Sequence, residues 1–253
     1  MPRSAHKLFH QPQIFTSFSN LIAAQSTRHG GVSPAPYQSL NLGLFTNDES
    51  SNVQENRRRF FSSLDVEEYQ VAGSFQVHQD QVKVVEVPGQ WDGFDALITR
   101  QKEVFLTVTI ADCVPVLLYD PVQQAVAAIH AGWRGTVAQV VVKTLREMER
   151  QYQTKPANCL AFIGTCIDGD HYEVGLEVAE HFSALQKKWR PDRQKFYVDL
   201  KKANLDQLQS QGVQPKNIET SPYCTVADND TFFSHRKEKG TTGRMLAVIG
   251  MKK

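Results

Sequence analysis

His78, Cys113 and His130 are the side chains of this 253-residue chain whose types best suit one chemical task. Two imidazoles and a thiolate form a donor set for Zn²⁺, and three protein ligands leave a fourth position for water or substrate. Each of the three stands where a strand-like segment gives out. His78 closes Ser74-Phe75-Gln76-Val77-His78, Cys113 follows the segment ending at Asp112, and His130 follows residues 125–129. Functional side chains concentrate where strands open into loops. The spacings are wide and match no short ligand motif. The competing interpretation makes Cys113 a small buried hydrophobe and the histidines satisfied polar groups, and spacing alone favours it.

The segment His130-Ala131-Gly132-Trp133-Arg134-Gly135-Thr136 shifts that balance. Two glycines permit close backbone approach, and a helix is expected to start there. A helix start presents free N–H groups to a phosphate or carboxylate, and Arg134 adds a fork of donors. The other interpretation is a Gly-rich turn with Arg134 in a structural ion pair. A second polar concentration lies in the loop 26–47, where Arg28 and Asn41 are candidate contacts for a polar substrate. Ordinary loop chemistry explains the same residues. Asp112 could orient a ligand, accept from a substrate or cap a turn. Ser234-His235-Arg236 either closes the site or forms a solvated face.

The elements that must position these residues alternate between strand and helix patterns. Strands are expected at 14–18, 73–78, 82–87, 96–99, 104–110, 114–119, 125–129 and 160–163, near Phe232 and at 245–249. The nearly unbroken apolar runs among them suit strands covered on both faces. Helical faces are read from Val53, Phe60, Phe61 and Leu64, and from Val137, Val140, Val141, Leu145 and Met148, with a Thr136/Gln139 capping box. Further helices are expected at 173–187 and 200–208. Together these imply a mixed α/β (α+β) domain of layered β-sheets flanked by helices, with one domain over residues 1–253.

Composition narrows the function classes. Apolar residues make up 41% and the formal net charge is +1, from 28 basic and 27 acidic side chains. That balance gives no electrostatic case for nucleic acid or an anionic membrane. Residues 1–10 carry no apolar run of the signal-peptide kind, and Asp112 interrupts the most apolar stretch. A soluble cytoplasmic protein with its four cysteines reduced is therefore expected. No G-x-G-x-x-G, Walker A, H-E-x-x-H or G-x-S-x-G motif is present.

Several longer motifs occur together: Thr27-Arg28-His29-Gly30-Gly31-Val32-Ser33, Ser39-Leu40-Asn41-Leu42-Gly43, Gln76-Val77-His78, Ala111-Asp112-Cys113-Val114-Pro115 and the His130–Gly135 segment. Cys166, Tyr172-Glu173-Val174-Gly175, Phe232-Phe233-Ser234-His235-Arg236 and Gly243-Arg244 complete the set. In this order they resemble the YfiH family, also called the laccase-domain or multicopper polyphenol oxidoreductase family, over nearly the whole chain.

The resemblance implies a fold similar to the cytotoxic necrotizing factor catalytic domain and a zinc site at His78, Cys113 and His130, with Cu²⁺ as an alternative occupant in vitro. It also implies a purine nucleoside phosphorylase acting on adenosine, inosine and methylthioadenosine, with an adenosine deaminase side activity. Its partners would be nucleoside and phosphate, and the working form a monomer or homodimer. One departure is visible: Gly164-Thr165-Cys166 replaces the usual Gly-Pro-Cys, and His171 precedes the Tyr-Glu-Val stretch. That departure puts any detailed role for Cys166 in doubt.

Three other functions are weighed. A copper oxidase of phenols would need His-x-His pairs, and the eight histidines here are scattered. A zinc-stabilised interaction module would normally supply four protein ligands. A Cys-His hydrolase acting on cell-wall peptide linkages would need Cys113 as a low-pKa, zinc-free nucleophile.

Overall fold

In the computed structural model, residues 7–253 are described; most of the amino-terminal stretch read above for a leader lies outside them. The strands of the first half are β1 (Phe9–His10), β2 (Leu21–Ser26), β3 (Val71–Phe75), β4 (Val82–Val84), β5 (Gly89–Asp92), β6 (Ala96–Thr99), β7 (Phe105–Ile110), β8 (Val114–Asp120) and β9 (Ala125–Ala131). Then come β10 (Leu160–Ile163), β11 (Glu173–Val174), β12 (Lys187–Arg190), β13 (Lys195–Val198), β14 (Ile218–Thr220) and β15 (Met245–Met251). The helices are α1 (Ser50–Ser63), α2 (Trp133–Val137), α3 (Val140–Tyr152), α4 (Leu176–Ala179) and α5 (Leu200–Ser210).

Two six-stranded sheets, ordered β1-β2-β15-β7-β3-β5 and β14-β10-β8-β9-β6-β4, pack face to face; β11-β13-β12 form a small third sheet. The period-2 alternation of each strand decides which layer it feeds. On β8, Val114, Val116 and Leu118 point to the helical side, where they meet Val140, Val141, Leu145 and Met148 of α3 and Ala203 and Leu208 of α5. Leu117 and Tyr119 point the other way, against Leu106, Val108, Ala247 and Ile249 of the first sheet. The outer face of the first sheet is covered by Phe60 and Phe61 of α1 and by Leu40 and Leu42 of the long loop. The layers are therefore helix, sheet, sheet and helix.

Register fixes the floor of the site. Along β9, Val126 and Ala128 face the other sheet, and His130 continues that row. On β8 the matching row is Tyr119, Leu117 and Pro115, with Pro115 opposite His130. Extended backwards by two residues, that row reaches Cys113. Strands β3 and β7 pair in parallel, Val71 with Phe105 and Ala72 with Leu106, so both chains leave the sheet at one edge. The residues after β3 lead to His78. Those after β7 cross through Ala111, Asp112 and Cys113 into β8 of the second sheet.

Several expected elements come out differently. The apolar stretch 14–18 is a 3₁₀ turn, Gln13–Phe15, followed by a further turn, and the first long strand is β2. Phe15 is there a buried plug between the sheets, so its apolar neighbours mark packing rather than strand. The strands expected at 73–78 and 82–87 end early, at Phe75 and Val84.

The proposed capping box does not form, because Gln139 is left-handed at φ +62° and separates α2 from α3. Thr136 instead binds α5, its Oγ1 accepting from Asn204 Nδ2 and its carbonyl from Gln207 Nε2. Between 173 and 187 only α4 is helical. Val174, Val178 and Phe182 are buried as their spacing suggests, but Leu185 is 83% exposed, and the segment's ends are claimed by the third sheet. Phe232 and Phe233 are fully buried outside any strand, packed on Ile110 and Met245. Among the described residues, no helix is long and apolar enough to cross a membrane.

Candidate active site

The structure brings His78, Cys113 and His130 together. One donor atom from each lies within 4.8 Å of the others, and the two imidazoles meet edge to face at 4.8 Å between centroids. His130 is buried, Cys113 half-buried and His78 exposed, so the trio opens from the inter-sheet layer toward solvent.

Asp95, which the sequence reading missed, holds the arrangement. Its Oδ1 lies 2.8 Å from His130 Nδ1 and accepts the amide N–H of His78 at 2.9 Å. Its Oδ2 accepts the amides of Val77 and Gln79 at 3.2 and 2.8 Å. One buried carboxylate thus fixes the ring of one donor and the backbone turn that carries another. The arrangement leaves Nε2 of His130 for the site.

Local backbone supports the approach. His78 is left-handed at φ +60° and Asp112 at φ +91°, conformations uncommon for residues with a side chain. Such outliers cluster at functional sites. Gly132 serves by its size: a Cβ there would lie 3.2 Å from both Cys113 Sγ and His78 Cδ2. Where β3 ends, Gln76 replaces the ladder. Its Nε2 donates to Thr109 O at 2.9 Å, and its Oε1 accepts from Thr109 N and Oγ1 at 2.7 and 2.8 Å.

The electrostatics favour a charged pair. Burial alone would raise the Cys113 thiol, but His130 and His78 outweigh it and bring it down to about 6. Burial would lower His130, yet the Cys113 thiolate and Asp95 hold it up at about 9. Two imidazoles, a ready thiolate and a carboxylate behind one ring fit the donor chemistry of Zn²⁺. His78, Cys113 and His130 are the residues that would hold it.

The trio lies in a cleft of about 460 Å³, within the range of small-molecule sites. Phe45, Phe75, Trp133 and Tyr172 supply its aromatic surface; Arg236 and Arg244 supply cations, and Asp112 and His235 line it as well. Phe45 and Phe75 meet edge to face at 4.8 Å and are 63% and 44% exposed. Asp112 accepts from Thr225 Oγ1 at 2.5 Å and from the Arg236 amide at 2.6 Å, so it anchors the wall that carries Arg236. His235 and Arg236 thus border the cleft while remaining exposed, and Ser234 is buried behind them.

Three candidates stand elsewhere. Arg28 does not line the cleft; its guanidinium binds Glu238, Gln38 O and Asn229 O and lies over Phe233. It fastens the long loop to the carboxy-terminal segment. Asn41 is fully buried and acts behind the wall, its Oδ1 accepting the amides of Gly43 and Arg244. Arg134 is exposed, stacked on Trp133 at 4.5 Å and absent from the lining. α2, at five residues, is too short to develop much of a dipole.

Of the cleft's cations, Arg236 belongs to the cluster with two expected places, whereas Arg244 stands in the sequence only as part of the Gly243-Arg244 motif. Asp95 carried one faint signal, a carboxylate abutting the apolar run Ala96-Leu97-Ile98.

Residues 22–252 match the family described as "Multi-copper polyphenol oxidoreductase laccase". The chain belongs to this family. Among its relatives, the "Purine nucleoside phosphorylase" of Deinococcus radiodurans is 40% identical over 90% of this chain and 88% of its own. The "Purine nucleoside phosphorylase YlmD" of Bacillus subtilis is 32% identical over 92% and 89%. The crystal structure of YlmD from Geobacillus stearothermophilus superposes with a TM-score of 0.91 at 31% identity, covering 97% of this chain and 99% of that one. The family's description names one chemistry and these relatives are named for another.

Proposed function

We propose that the chain is a purine nucleoside phosphorylase for adenosine, inosine and methylthioadenosine, with adenosine deamination as a side activity and Zn²⁺ held by His78, Cys113 and His130. The observation that carries this reading is that the donor trio, an aromatic wall and two arginines share one cleft. Phosphorolysis needs an anion site beside a surface for the base. A phosphate oxygen bonds to C1′ of the ribose as the glycosidic C–N bond breaks, and the base leaves with the electron pair and takes up a proton. Arg244 and Arg236 would bind and orient the phosphate, and Phe45, Phe75 and Tyr172 would face the purine. A bound Zn²⁺ would supply Lewis acidity and make water more acidic, as deamination requires.

The deciding experiment uses copper-free protein, adenosine and phosphate, with products identified by chromatography. Adenine and ribose 1-phosphate are expected. Omitting phosphate should stop adenine release and spare inosine formation, since deamination needs only water. Phenol oxidation should require added copper, which outranks zinc for these ligands. No nucleoside turnover, with phenol oxidation at trace copper, would sink the proposal.

The arginines give a second prediction. Arg244→Ala and Arg236→Ala should each raise the KM for phosphate about 10-fold or more, the worth of a charge-assisted hydrogen bond. Arg134→Ala should leave it unchanged. A phosphate KM that moves only with Arg134 would return the anion to the start of α2.

A second reading has its own support. A Cys113 thiolate beside an imidazole oriented by Asp95 is also the arrangement of a cysteine hydrolase. Zinc separates the two: it should support phosphorolysis and would block a hydrolase that uses free Cys113.

A further inference from the structure

Behind the cleft wall, a second set of ligand-type side chains converges. Asp168, His171 and Cys224 each present one donor atom, an oxygen, a nitrogen and a sulfur, within 4.8 Å of one another. None of the three lines the cleft. Asp168 and His171 lie on the segment after β10, and Cys224 lies after β14. A backbone bridge between Cys166 and Cys224, and the Thr225 amide donating to Cys166 O at 3.0 Å, join the two segments.

The geometry at His171 is the informative feature. Its Nδ1 lies 2.7 Å from Asp168 Oδ1 and 3.6 Å from Cys224 Sγ. A ring nitrogen has one in-plane bonding direction, carrying either a proton or a lone pair. A single proton there serves one of the two partners well, whereas a cation on the lone pair can be shared by all three groups. The sulfur itself is buried beside the imidazole and the carboxylate.

We propose that Asp168, His171 and Cys224 form a second metal site, for a borderline divalent ion such as Zn²⁺. Sulfur and imidazole suit Zn²⁺, while Ca²⁺ and Mg²⁺ demand more oxygen ligands than this set offers. The ion, its fourth position left to water because only three protein donors converge, would join the two segments that build one side of the cleft. Ile167 and Tyr172, beside Asp168 and His171, line it. Thr225, beside Cys224, donates to Asp112, and Arg236 Nη1 donates to Glu173 O at 2.8 Å. The site stands on its own donors and does not depend on which reaction the cleft performs.

Cobalt is the probe, because a thiolate–Co²⁺ bond gives a charge-transfer absorption in the near ultraviolet. Metal-free, reduced protein is titrated with Co²⁺, and bound metal is measured after gel filtration. The natural sequence should bind about two equivalents. Cys113→Ala, which disables the cleft trio, should keep about one equivalent and a thiolate band, both displaced by Zn²⁺. Adding Cys224→Ser or His171→Ala in that background should remove both the bound ion and the band. His171 is half-exposed, so its variant guards against loss through misfolding, and circular dichroism checks both variants. A Cys113→Ala protein that binds no Co²⁺ overturns the proposal, as does a band that persists in either double variant.

Discussion

Cys113→Ala is expected to lower Zn²⁺ affinity by more than about 100-fold, above what loss of a mere supporting partner costs, and to bring nucleoside turnover to background. The sulfur is the trio's one anionic donor, placed between two imidazoles that draw it toward the thiolate. Its removal leaves two imidazoles, one of them on an exposed turn. His78→Ala should give a similar loss without unfolding, because His78 is exposed. His130→Ala should also destabilise the protein, since it leaves the buried Asp95 carboxylate without its ring partner. Zinc content after dialysis and kcat on adenosine read the site, and melting temperature separates His130 from the others.

In metal-free protein the alkylation rate of Cys113 should rise with pH through about 6, where the thiolate forms, well below an ordinary thiol. Zn²⁺ should suppress that reaction at every pH. Full zinc occupancy in all three alanine variants would exclude the site.

The trio was legible in that each member stands where a strand-like segment gives out, but spacing alone favours ordinary packing, and the longer motifs around the three residues are what set them apart. β8 and β9 are buried throughout and apolar but for Asp120 and His130, so their expected positions agree within a residue or two. Convergence itself was not legible. It depends on β3 and β7 running parallel and on β8 crossing to the other sheet, and sheet order leaves no local trace.

Helical periodicity failed where tertiary packing overrode it. Val174, Val178 and Phe182 do face the core, but from a two-residue strand, one short helical turn and a bend. Arg28 and Asn41 carry two interpretations in the sequence, substrate contact and ordinary loop chemistry. Their donors and acceptors are used instead to hold the long loop against residues 229–244. Sequence shows that such a residue wants partners, but not whether the partner is a ligand or another loop.

Asp95→Asn should reveal how much of the site depends on one carboxylate. Both oxygens are occupied: Oδ1 by His130 Nδ1 and the His78 amide, Oδ2 by the Val77 and Gln79 amides. Asparagine offers one acceptor and one NH₂ group, so whichever way the amide turns, two N–H donors face another donor. A buried pair broken on one side costs about 3–5 kcal/mol, and the lower end applies here because asparagine keeps the volume and half the acceptors. Zinc affinity should fall by roughly 10- to 100-fold, the usual effect of losing a ligand's supporting carboxylate.

The pH dependence has a definite sign. Burial would raise the Asp95 carboxyl, but the His130 hydrogen bond and the backbone amides outweigh it and hold it below the usual range. Its stabilisation is therefore complete above the ordinary carboxylate pKa and is lost as pH falls through the lowered value. Asp95→Asn should remove that acid-side dependence and converge with the natural sequence at low pH. Denaturant melts from pH 7 downward, paired with zinc titrations, measure both effects. A variant that binds zinc as tightly as the natural sequence, with the turn at Val77–Gln79 intact, would mean that Asp95 is a spectator to the trio.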